Sequence, residues 1–139
     1  MKMHDVQSID LNVPAAQAYA YIAESENLPH WTHAFASVSG KNAVMKTPGG
    51  EVPIELRTEA SREQGTVDWF MVFPDGSVAS AYSRVVNLTA DQSVFSFTLL
   101  PPPVPLEQLE GTLQQQSEIL ASELTLLKHC LEGEAVNPA

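Results

Sequence analysis

The chain has 139 residues, 44% of them hydrophobic, which suits a single domain with a real core and room for an internal cavity. Seven Lys and Arg against 17 Asp and Glu leave a formal charge of −10, a balance that argues against phosphate backbones and anionic lipid as partners. The lone Cys130 excludes an internal disulfide. No apolar run approaches the roughly 20 residues of a membrane span, so membrane insertion is not expected. "MKMHDVQSIDLNV" lacks an apolar signal core, so a cytoplasmic location is expected.

There is no internal repeat. The chain reads as one domain over residues 1–134 with a short tail at 135–139. "VQSIDLNV" predicts a strand, with Val6, Ile9, Leu11 and Val13 apolar. "PAAQAYAYIAES" predicts a helix: Pro14 suits a first turn, and Ala18, Tyr21 and Ile22 fall at helical spacing. "ENLPHWTHAFA" predicts a second short helix, with Asn27 as N-cap near Pro29. From about residue 36 the pattern changes to strands and turns. "ASVSGKNAVMKT" runs to the turn "PGG". "EVPIELRTEA" puts Val52, Ile54, Leu56 and Thr58 on one face and Glu51, Glu55, Arg57 and Glu59 on the other. "TVDWFMVF" separates Val67, Trp69, Met71 and Phe73 from Asp68, Phe70 and Val72. The turn "PDG", then "SVASAYSRVVNL" and "SVFSFTLL", complete a sheet whose short connections make it antiparallel. "PPPVP" ends that pattern. After it, Leu106, Leu113, Leu120 and Leu127 recur every seven residues, with Leu109, Leu124 and Leu131 beside them, in one long helix over residues 106–133. Its middle carries Gly111, Ser117, Ala121 and Ser122, small or polar residues that would leave space beneath a roof or simply face solvent.

Three stretches, "IDLNVPAAQAYAYIAESENLPHW", "TVDWFMVFPDGSVASAYSRVV" and "LEQLEGTLQQQSEILASELTLLKHCLEG", together resemble the START-like, polyketide cyclase/dehydrase and birch-pollen-allergen superfamily. The resemblance covers nearly the whole chain, and it rests on residue types rather than catalytic signatures. It implies an α+β helix-grip fold: a curved antiparallel sheet, two short helices, and one long C-terminal helix over a cavity. The family includes lipid carriers, hormone receptors and aromatic polyketide cyclases, so fold alone does not choose an activity.

"NLPHWTHAF" places His30 and His33 three apart around Trp31. On one helix they would share a face and could reach one ion, but two histidines make an incomplete zinc site. A third ligand would have to come from Asp68, Glu55 or Glu59. The expectation is therefore no metal and no cofactor, with Trp31 turned inward, Phe35 one helical turn on, and the histidines at a wetter rim. Arg84 shares its alternation with Val78, Tyr82 and Val86, where it would hold a ligand's oxygen or pair structurally. Asp68 falls outside if Trp69 faces the concave side. The expected ligand site is Trp31, Phe35, Trp69, Tyr82 and Arg84, with Ser117 and Ala121 on the helix above. Three functions follow. The first is binding of a small hydrophobic or aromatic molecule in an internal cavity. The second is a cyclase/dehydrase-like enzyme using His30 or His33, Tyr82 and Arg84 on a poly-carbonyl substrate. The third is a non-catalytic regulatory or partner-binding domain. The expected partner is a small hydrophobic molecule and no nucleic acid, with a homodimer left open.

Overall fold

The computed structural model describes residues 4–47, 49–100 and 106–133, with only the backbone described for Thr47 and residues 106–112. The "PPPVP" stretch, the tail at 135–139 and the side chains of Leu106 and Leu109 lie outside the described residues.

Among the described residues seven strands form one antiparallel sheet: β1 (Asp5–Leu11), β2 (Phe35–Ser39), β3 (Asn42–Thr47), β4 (Gly50–Ser61), β5 (Thr66–Val72), β6 (Val78–Asn87) and β7 (Ser93–Leu99). Their spatial order is β1-β7-β6-β5-β4-β3-β2, so β1 crosses to the far edge and the other strands follow as hairpins. The helices are α1 (Ala15–Ala23), α2 (Leu28–Trp31) and α3 (Leu106–Glu132), with a turn of 3-10 helix at Ser25–Asn27. This is the α+β helix-grip architecture, a curved sheet held against one long helix.

The alternation along β4 and β5 sets the inner face. Ile54, Leu56, Val67, Trp69 and Met71 are buried, while Glu51, Glu55, Arg57 and Glu59 face out. Asp68 faces out too, opposite Tyr82. On α3, Leu113, Leu120, Leu124 and Leu127 form the buried stripe that packs toward β1 and α2.

Three local readings change. First, α2 is one turn long. Pro29 stands in its first turn, and Thr32 is extended, with its hydroxyl donating to the Leu28 carbonyl at 2.7 Å. Phe35 therefore opens β2 instead of following Trp31 on a helix, although both are buried. Second, Asn27 makes no cap bond with its side chain; its Nδ2 donates to the Tyr21 carbonyl at 3.0 Å, tying the end of α1 to α2. Third, the small residues in the middle of α3 do not roof a cavity together. Ala121 and Ser122 are exposed, and Ser117 is engaged with β1.

Candidate ligand-binding site

The inner face of the sheet is uneven for a sequence reason. β6 offers Ala79, Ala81, Ser83 and Val85 inward, while its neighbours offer Trp69 and Met71 on one side and Phe95, Phe97 and Leu99 on the other. Ala81 pairs with both Trp69 and Leu99, and Ser83 with Val67 and Phe97. Small residues between two rows of large ones make a trough along β6.

Aromatic rings close one end of that trough. Trp69 and Phe97 sit on strands that are not neighbours, about 9.6 Å apart at two strand spacings. Their ring centroids are nevertheless only 6.0 Å apart, with 27° between planes. The rings lean toward each other over β6, which is possible only because Ala81 and Ser83 are small. Trp31 descends from α2 and meets Trp69 edge-on at 6.3 Å and Phe95 at 6.1 Å, and Phe95 meets Phe97 at 6.3 Å. Each such pair contributes about 0.5–1.5 kcal/mol beyond its buried area. Trp31, Trp69 and Phe95 are almost fully buried, but Phe97 is only partly so. The cluster thus runs from the core to an open margin, where Ala79, Ala81, Leu99, Phe73, Val52 and Met45 are also only partly buried. Next to this margin, around the turn between β5 and β6, lies a shallow open hollow lined by Val52, Phe73, Pro74, Asp75, Ser77, Val78 and Ala79.

A polar group faces the same side from β1. Gln7 pairs with Phe97 and Asp5 with Leu99 across the strands. Ser117 donates its hydroxyl to Asp5 Oδ2, and Gln7 Nε2 donates to Asp5 Oδ2 and to the Ser117 carbonyl, each at 2.8 Å. These bonds pin the middle of α3 to β1.

The remaining sequence-predicted residues lie elsewhere. Tyr82 and Arg84 are on the outer face of β6, a correction to the inward placement expected of them. Tyr82 is 39% exposed and meets Phe70 edge-on at 5.9 Å. Arg84 is exposed, and its Nε donates to the Gln64 carbonyl at 3.0 Å. Ala121 is exposed on α3.

His30 and His33 are both exposed, and they no longer share a helix face because α2 ends at Trp31. His33 Nε2 and Ser122 Oγ lie 3.2 Å apart, and the His33 backbone N–H donates to Glu123 Oε2 at 2.6 Å. Burial pushes the Glu123 carboxyl above its ordinary range, opposed by that N–H and by the charge of His33. The bond ties the chain just past α2 to α3. Cys130 is exposed; its Sγ donates to the His30 carbonyl at 3.8 Å. Burial, with the hydrogen bond and charge of Cys130 adding to it, pushes the Tyr21 hydroxyl up to about 12. Among the described residues no group of three or more His, Cys, Asp or Glu is placed to hold a metal ion. No described helix is long and apolar enough to cross a membrane.

Sequence reasoning had missed Phe95, Phe97, Asp5 and Gln7. The signal for the first two was the alternation of "FSFTL" at residues 95–99; nothing local marked the polar pair.

No protein-family model matches this chain, and no curated protein matches it. Solved structures do match it in shape. A START superfamily protein from Mycobacterium smegmatis superposes with a TM-score of 0.64 at 12% identity, over 95% of this chain and 99% of that one. Zhui aromatase/cyclase from Streptomyces sp. R1128 gives 0.62 at 10% identity, over 95% and 92%. The di-domain ARO/CYC BexL from the BE-7585A biosynthetic pathway gives 0.67 at 18% identity, over 99% of this chain and 48% of the longer protein.

Proposed function

We propose that this START-like helix-grip fold, shared in shape with polyketide aromatase/cyclases, serves here to bind a small, planar hydrophobic molecule on the inner face of its sheet. One observation carries the reading. The cluster of Trp31, Trp69, Phe95 and Phe97 does not end in the core but reaches, through the partly buried Phe97, an apolar margin that is open to solvent. A ligand there would lie against Phe97 and over Ala79, beyond the rings that cover Ala81. Ring stacking and burial of apolar area would hold it.

The cyclase reading is weaker on the same geometry. Its acid/base set was His30 or His33 with Tyr82 and Arg84, and these side chains sit on different surfaces away from the aromatic cluster. A partner-binding domain remains an alternative. The outer sheet face, with Val78, Tyr82 and Val86 exposed, would be its natural surface.

The chain's two tryptophans both lie in the cluster, so tryptophan emission reports on the proposed site. Titration with the neutral probe N-phenyl-1-naphthylamine should quench that emission saturably, with probe fluorescence rising by energy transfer. Replacing Ala79 with Leu should weaken the probe by filling its place. Absence of saturable quenching, or equal affinity in Ala79→Leu, would remove this reading.

A further inference from the structure

Two polar atoms inside the aromatic cluster find no partner among the described residues. The indole nitrogens of Trp31 and Trp69 are buried and unbonded, on side chains 1% and 3% exposed. A buried N–H without an acceptor carries its full desolvation cost, which is why buried tryptophans normally bond through that atom. Here two of them occur on rings 6.3 Å apart. Trp69 lies nearly parallel to Phe97, so its in-plane N–H cannot point into the face of that ring. Phe97 is the partly buried member of the cluster and stacks on the Trp69 ring.

The charges around the site define what that atom can be. Six of the seven Lys and Arg lie on described residues. Lys41, Lys46, Arg57, Arg62 and Arg84 are exposed, and Lys128 bonds the Asp10 carbonyl and Glu132 at the β1 edge. None of the six reaches the aromatic cluster, whereas Asp5 faces the same side of the sheet. Among the described residues a buried anion would find no cation beside the cluster, which is unfavourable. A neutral oxygen acceptor would find donors.

The geometry points to a ligand class: a planar, uncharged ring system bearing a carbonyl or comparable neutral acceptor, which takes a hydrogen bond from Nε1 of Trp31 or Trp69. This rests on the inner face being the ligand site, and it adds the polarity of the ligand to that reading.

The test compares fluorene, fluorenone and fluorene-9-carboxylate, which share a ring frame and differ in the polar group. Calorimetry gives the fluorenone-to-fluorene affinity ratio for the native protein. It is then repeated on protein grown with β-(benzothien-3-yl)alanine in place of tryptophan, which keeps the ring shape and removes only the N–H. Because the chain has two tryptophans, both in the cluster, global replacement is selective. The ratio should fall by about tenfold on replacement, the scale of one buried hydrogen bond, and the carboxylate should bind more weakly than fluorenone. In native protein, fluorenone but not fluorene should move at least one of the two indole N–H resonances downfield, a readout that does not depend on the replaced protein folding. A ratio unchanged by replacement, indole resonances indifferent to the carbonyl, or a carboxylate bound as tightly as fluorenone would overturn the acceptor while leaving the apolar site in place. If none of the three compounds binds, the apolar site itself fails and the acceptor falls with it.

Discussion

Replacing Gly65 with Ala tests how the sheet is held at the turn that leads into β5. Gly65 has φ of +75°, in the left-handed region that an L side chain avoids, at about 1–2 kcal/mol. It is also crowded. Its N–H donates to the Ser61 carbonyl and its own carbonyl accepts from Val85 N–H, each at 2.8 Å, so the backbone of β6 lies against it. A Cβ added there would overlap the Val85 carbonyl oxygen, which is backbone and has little freedom to move. Relieving such an overlap costs a further 1–3 kcal/mol or so, giving a total of about 2–5 kcal/mol. Gly76 supplies the control. Its φ is +89°, but a Cβ there meets nothing within 4 Å, so Gly76→Ala carries the backbone strain alone. Both changes remove similar freedom from the unfolded chain, and that effect cancels between them. Urea unfolding followed by tryptophan emission should therefore show Gly65→Ala less stable than Gly76→Ala by about 1–3 kcal/mol at unchanged m. Equal losses in the two variants would refute the close packing of the turn on β6.

Two further outcomes can be checked. The raised carboxyl of Glu123 favours the folded state in its protonated form, so that contribution is present at low pH. It is lost as pH rises from the ordinary glutamate value through the higher folded one. Glu123→Gln should flatten the fall in urea stability as pH rises above the ordinary glutamate value, and an identical slope in both proteins would contradict it. On the outer face, Tyr82→Ser combined with Arg84→Met should leave the affinity for N-phenyl-1-naphthylamine within about twofold; a loss of tenfold, about 1.4 kcal/mol, would return those residues to the ligand site.

β5 carries Phe70 and Val72 in the same row as Asp68, so its inner face hung on Trp69, but the order of elements and the faces of β4 were legible because charged and apolar residues alternate there. The face of β6 was not. Its larger side chains, Val78, Tyr82 and Val86, share one alternation, and by size alone that row would be placed inside. The smaller row is inside because rings from β5 and β7 occupy the space above it, a fact that belongs to strands far apart in sequence. The polar group of Asp5, Gln7 and Ser117 was hidden for the same reason, since 112 residues separate Asp5 from Ser117. The second helix was overextended because Trp31 and Phe35 have helical spacing, yet Phe35 is buried as the first residue of a strand.

The leaning of Trp69 and Phe97 across β6 has an evolutionary consequence. Positions 69, 81, 83 and 97 share one volume, so they do not vary independently. A larger residue at 81 is admissible only with a smaller one at 69 or 97, and such an exchange would move the aromatic surface from β5 or β7 onto β6 without altering the sheet's hydrogen bonds. Drift in this chain would then appear as compensated pairs rather than single changes, and each pair would redraw the floor offered to a bound molecule.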